Sequence, residues 1–226
     1  MKARRDSVLK YKKIITLIIC VVLASVSATA ATVAYFTDTS EDVNTFVFGD
    51  VKMTLDEAKV DSNGVPVGEE RTTEGNAYHL IPGGSYTKDP TITIKKGTEG
   101  AYARLMVTVS AYSTVKEVFG SDFLPVNFVE GWDKNIWIYS GATEDTAANT
   151  VTYEFRYHEV VSAFSEDSKL EPLFKKLLLP GEKVDLEGVR KLADAGVSVS
   201  VIGNGIQSAG FENADEAWTA FEQQKQ

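Results

Sequence analysis

Two histidines, His79 and His158, and one cysteine, Cys20, are the only such residues among 226, so metal and nucleophilic chemistry has few bearers. His158 opens the segment His-Glu-Val-Val-Ser, the first half of a zinc-peptidase pattern in which two histidines one helical turn apart hold the metal. Ser162 stands where the second histidine belongs, and the residues before it alternate as in a strand, the wrong geometry for that pair. No metal site is expected. The acidic pairs Glu41-Asp42, Asp56-Glu57, Glu144-Asp145 and Glu166-Asp167 offer the oxygen ligands that calcium takes, but Asp61-Ser62-Asn63-Gly64 lacks the ligand spacing of an EF-hand loop. These pairs are read as solvated acidic surface. Trp132, Trp137, Tyr139, Tyr153, Phe155 and Tyr157 carry ring faces on which a sugar could stack, which makes a cell-surface adhesin or carbohydrate-binding module an alternative function. Their strand spacing makes them core or sheet-face residues first. With no nucleophile elbow and no phosphate-cradling loop, neither a catalytic residue nor a cofactor is expected.

The elements that would position any site are mostly strands. Val51, Met53 and Leu55 alternate with Lys52 and Thr54, Ile92 and Ile94 with their threonines, and Ala101 to Tyr112 alternates over its whole length. Shorter signals lie at Ile136 to Tyr139, Val151 to His158 and Val197 to Val201. Gly, Pro and Asn separate them: Asp61-Ser62-Asn63-Gly64, Pro82-Gly83-Gly84 and Gly203-Asn204-Gly205 read as turns, and Gly141 to Thr150 as a polar loop. Many short strands between turns predict an all-β, antiparallel sandwich. Helix is expected at Thr114 to Phe119, at Leu186 to Ala195 and at the C-terminus, where Asn213 and Glu216 have the spacing of a capping box and Ala214, Ala217, Trp218 and Phe221 lie close to one face.

The N-terminal segment predicts export. Lys2, Arg4, Arg5, Lys10, Lys12 and Lys13 form a basic stretch, Ile14 to Leu23 an apolar one, and Ala24 to Ala34 a zone of small residues, as in a secretory signal. Cleavage is expected between Ala34 and Tyr35, with Ala28 and Ala30 as further sites; a retained membrane span is the rival reading, in which the uncleaved signal is the only membrane attachment. The domains expected are therefore residues 1–34, the signal, and 35–226, one sandwich. The mature part has 17 Lys and Arg against 31 Asp and Glu, a net charge of −14, which speaks against nucleic acid as a partner. Cys20 leaves with the signal, so burial and strand pairing must hold the mature chain together without disulfides.

Three stretches carry a family resemblance. Tyr35-Phe36-Thr37-Asp38, Asn44-Thr45-Phe46 and Gly49 before an alternating strand form the first; Ile81-Pro82-Gly83, Lys88-Asp89, Gly97 and the strand Ala101 to Val109 the second; Gly205-Ile206-Gln207 through Phe211 to Phe221 the third. Together these resemble the TasA/camelysin family of exported bacterial proteins, whose signal is removed by a specialised signal peptidase of the SipW type. The segment Ser110 to Val184 has no such match. The resemblance implies a jelly-roll-like sandwich, secretion, and a structural role in the extracellular matrix or at the cell surface. In fibre-forming members the mature N-terminus is a donor strand that completes the next subunit's sheet; carried over, it is Tyr35 to about Phe48, with Tyr35, Phe36, Phe46 and Phe48 as the contact residues and self-association into fibres as the outcome. The bland alternative is that the segment closes the domain's own sheet. Some relatives are described as metallopeptidases, a role that the missing second zinc histidine leaves without support.

Overall fold

The computed structural model describes residues 46–48, 51–121 and 123–224, all within one compact unit, Asp38–Gln226. Along it run β1 (Phe46–Phe48), β2 (Met53–Val60), β3 (Pro66–Thr72), β4 (Ser85–Thr87), β5 (Thr91–Ile94), β6 (Thr98–Val109), helix α1 (Tyr112–Phe119), a 3-10 turn (Pro125–Phe128) and β7 (Val129–Glu130). Then come β8 (Trp137–Asp145), β9 (Thr150–Tyr157), β10 (Val161–Ala163), β11 (Ser168–Lys169), β12 (Lys176–Leu178), α2 (Leu186–Asp194), β13 (Val199–Gln207) and α3 (Ala214–Gln224). The fold is the expected all-β antiparallel sandwich with a few short helices. One sheet has the order β1-β13-β6-β9-β8, with β10 also on β6; a second has β11-β5-β2-β3, and a small third β4-β12-β7.

Alternation in β6 explains how the layers meet. Ala103, Leu105, Val107 and Val109 point inward and are almost fully buried, joined by Val151, Tyr153 and Phe155 of β9 and faced by Met53, Leu55, Ile92 and Ile94 of the second sheet. Such a core supplies the main stabilising term in a chain without disulfides, at about 25 cal/mol per Å² of apolar surface removed from water. Tyr102, Arg104 and Met106 take the opposite face, which α3 partly covers through Trp218, Ala217 and Phe221.

Three expectations are corrected. Gly203-Asn204-Gly205 is not a turn but the middle of β13, which pairs antiparallel with β6 from Val199↔Val109 to Gln207↔Ala101. The glycines are there for the approach of the second sheet: a Cβ at Gly203 would sit 3.0 Å from Met53 Cε, and one at Gly205 would sit 2.8 Å from Met53 Sδ and 3.0 Å from Val51 Cγ1. Most of the Gly141 to Thr150 loop is likewise strand, since β8 continues to Asp145 before its hairpin turn; its side chains there are mostly exposed, so no apolar alternation marks it. The long strand expected to reach Tyr112 ends at Val109, where Ala111 turns left-handed (φ +47°) and Tyr112 begins α1.

The remaining helices fall as expected. Asp185 Oδ1 caps α2 by accepting from the Gly188 N–H at 2.9 Å. Asn213 Oδ1 accepts from the Glu216 N–H at 3.0 Å at the start of α3, while the Glu216 carboxylate reaches back to the Glu212 N–H at 2.7 Å, one residue earlier than a regular capping box.

Candidate subunit interface at the sheet edge

The two edges of the larger sheet are finished differently. At β8 a register shift between Tyr139 and Gly141 breaks the ladder, and Gly141 sits at φ +140°; such a bulge blunts an edge against further pairing. On the opposite side the outermost long strand is β13. There β1 runs parallel to it, with Phe46 opposite Asn204, Val47 opposite Gly205 and Phe48 opposite Ile206, the one parallel pairing among the described strands. β1 covers three residues of a nine-residue strand. Among the described residues, no other strand borders Val199 to Gly203 on that side.

What lies beneath this edge is built from a buried charge. Arg104, only 2% exposed, donates from Nε to Asn204 Oδ1 at 3.1 Å and from Nη1 to Glu154 at 3.4 Å, and its Nη2 bonds to Glu222 of α3. Its guanidinium carbon stands 4.3 Å from the Trp218 ring centre and 4.9 Å from that of Phe221, a double cation–π contact. Arg156 extends the network by bonding to Glu154 and Asp215. Ile206, the register partner of Phe48, is buried with Ala217, Trp218 and Phe221. Helix α3 therefore caps the residues of β13, Asn204 and Ile206, whose backbone β1 borders. Sequence reasoning missed Arg104, although an arginine facing the same way as Tyr102, together with an amphipathic C-terminal helix in need of a surface, was the available signal.

Of the contact residues expected from the sequence, Phe46 and Phe48 are placed in β1; Tyr35, Phe36 and the Ala34–Tyr35 cleavage point lie outside the described residues. The aromatic candidates separate cleanly. Trp137, Tyr153 and Phe155 are core, and Trp132 packs edge-on against Phe155. A cleft of about 600 Å³ borders Trp132 and Trp137, but both indole N–H groups are already spent, on the carbonyls of Trp137 and Glu171. Tyr139 remains partly exposed on β8.

His158 follows β9 directly, is exposed, and lies 3.7 Å from the Glu159 carboxylate; Ser162 falls in β10, so no helix face joins the two positions. Among the described residues no group of three His, Cys, Asp or Glu side chains could hold a metal ion, and no helix is long and apolar enough to cross a membrane.

The acidic pairs are not uniformly solvated, contrary to expectation. Asp56 and Asp89 share Arg71 at 2.6 and 2.8 Å, and Glu57 is buried against Lys88 at 2.7 Å, with Asn76 of the loop that links β3 to β4 bonded to the same carboxylate. Asp167 bonds Lys95 and Glu144 bonds Lys116 at the surface. Burial, reinforced by the nearby Glu57 charge, pushes the Tyr78 phenol well above its ordinary value; burial and the bond to Tyr112 do the same for Tyr153. Compared with family models, with curated proteins and with solved structures, the chain matches none of them.

Proposed function

We propose that this chain is a secreted structural subunit of a bacterial extracellular matrix or cell surface, similar to the TasA/camelysin family, that assembles when Tyr35 to Phe48 of one copy pairs with the β13 edge of the next. The observation that carries this reading is the parallel pairing of Phe46–Phe48 on Asn204–Ile206 at an edge that is otherwise uncovered among the described residues. A strand lent by another copy can make the same ladder bonds as the chain's own strand, so exchange costs little in contacts and is decided by concentration and by chain connectivity. Donor and acceptor are different surfaces, so the contact is head-to-tail and builds an open filament wherever its repeated rotation does not close a ring. Cleavage between Ala34 and Tyr35 by a SipW-type signal peptidase would free the donor from its membrane attachment.

The alternative of a carbohydrate-binding module is weaker, because Trp137 is fully buried and Trp132, partly buried beside the cleft, packs edge-on against Phe155.

The test uses the purified mature chain, residues 35–226, and the same chain lacking residues 35–48. Electron microscopy is expected to find fibres for the first and folded monomers for the second. A synthetic peptide of residues 35–48 is expected to bind the shortened chain. Fibres that persist after the deletion overturn the proposal.

A further inference from the structure

A second buried charge cluster, on the other sheet, has the composition of a self-reacting cross-link. Lys88, just past β4, and Glu57, in β2, are both 6% exposed, and Lys88 Nζ donates to Glu57 Oε2 at 2.7 Å. The other oxygen of the same carboxyl group, Oε1, accepts from Asn76 Nδ2 at 2.8 Å. Asn76 Nδ2 also donates to the Ala58 carbonyl at 2.8 Å, and Asn76 Oδ1 accepts from the Val60 N–H at 2.9 Å. These three bonds fix which end of the carboxamide is which, since only this orientation satisfies every partner. Tyr78 and Tyr86 meet edge to face nearby, and the Tyr78 hydroxyl donates to the Thr87 carbonyl beside Lys88.

We propose that Lys88 and Asn76 join in an intramolecular isopeptide bond, with Glu57 as the proton carrier. The chemistry is a transamidation and needs no oxidant or second substrate. Glu57 takes a proton from Lys88 Nζ, and the amine attacks Asn76 Cγ. The carbonyl oxygen gathers negative charge as the tetrahedral intermediate forms, and the Val60 N–H already points at it. Glu57 returns its proton to Nδ2; the Cγ–Nδ2 bond breaks and the nitrogen leaves, taking up the proton released from Nζ to depart as ammonium. One C–N bond forms, one breaks, and the Glu57 carboxylate is restored. A single carboxylate that holds both nitrogens makes the step effectively unimolecular, the condition under which otherwise sluggish amide exchange becomes fast. The bond would tie the loop between β3 and β4 to the residue just past β4, in a mature chain that has no cysteine for a disulfide.

Intact mass spectrometry of the mature chain tests this, followed by tryptic mapping. The expected result is a mass lower than the sequence value by about 17 Da, the loss of one ammonia. The deficit should sit in one peptide, Thr72 to Lys95, uncut at Lys88 and giving no fragments from inside the 76–88 loop. Glu57→Gln and Lys88→Met variants should show the full sequence mass, and Glu57→Gln should be cut at Lys88 under the same digestion. A wild-type chain at full mass overturns the proposal and leaves a structural ion pair. A light peptide that is still cut at Lys88 also overturns it, because that marks a succinimide at Asn76. Persistence of the link in Glu57→Gln overturns the assigned role of Glu57.

Discussion

Replacing Arg104 tests whether the C-terminal helix is held to the sheet by a buried cation. In Arg104→Ala the stacking on Trp218 and Phe221 disappears, at about 0.5–2 kcal/mol for each ring. Asn204 Oδ1 loses its donor inside the protein, which costs about 1–3 kcal/mol unless water enters. Stranding a buried charge ordinarily costs about 3–5 kcal/mol more, but here the partners can recover hydration, since the Glu222 side chain is 52% exposed and that of Glu154 is 20% exposed. These losses overlap, so we expect about 3 kcal/mol for Arg104→Ala and about 2 kcal/mol for Arg104→Met, which keeps most of the packed stem. For a chain of this size that is a fall in Tm of roughly 6–12 °C for the alanine variant. Guanidinium unfolding of residues 35–226, followed by tryptophan fluorescence, measures it, provided the slope is unchanged. An Arg104→Met protein within about 0.5 kcal/mol of wild type would refute the reasoning, because it would mean the charge adds nothing beyond its volume.

Two further outcomes follow from the core and its tyrosines. Gly205→Ala is expected to destabilise by about 1–2 kcal/mol and Gly205→Val by about 3 kcal/mol, since the added atoms meet Met53 and Val51; combining Gly205→Ala with Met53→Ala should recover part of the clash term, and full additivity in a double-mutant cycle would argue against the contact. Tyr78 and Tyr153 hold their protons above the ordinary tyrosine value of 10.0, chiefly through burial, so the unfolded chain loses these protons first as pH rises. Their contribution is therefore complete below about pH 10 and is lost as pH climbs beyond it. Absorbance titration at alkaline pH should find both phenols silent until unfolding; reversible ionisation of both near pH 10 in the folded protein would contradict their burial.

The strands whose one face is core were legible because period two is written in their apolar residues, as in β6 and β9. Where a strand's neighbours decide its character, local reading failed. Glycine in β13 signalled a turn, yet the reason for it is Met53 from a strand about 150 residues away, which no window of sequence contains. Only the start of β8, Trp137 to Tyr139, was legible as a short apolar run; beyond it the hairpin strand keeps most side chains in solvent, so its backbone pairing left no apolar trace there. Glu57 read as solvated acid for the same reason: its partners Lys88 and Asn76 come from another strand's end and an intervening loop. At the sheet edge, Phe46 and Phe48 were visible as aromatic residues in a β-forming stretch, whereas Arg104 was not, because an alternating strand reveals which residues share a face but not what covers it.

The unlike partners of the β1–β13 contact have a further consequence. Every other described pairing is antiparallel, and only this terminal strand runs the same way as its partner. If copies join through that pairing, each added copy repeats one rotation and one translation, and the resulting filament has a head and a tail. One end would present a vacant β13 edge and the other an unlent N-terminal strand. Growth at the two ends would then be chemically distinct, and a short peptide that mimics the N-terminal strand would cap one end only.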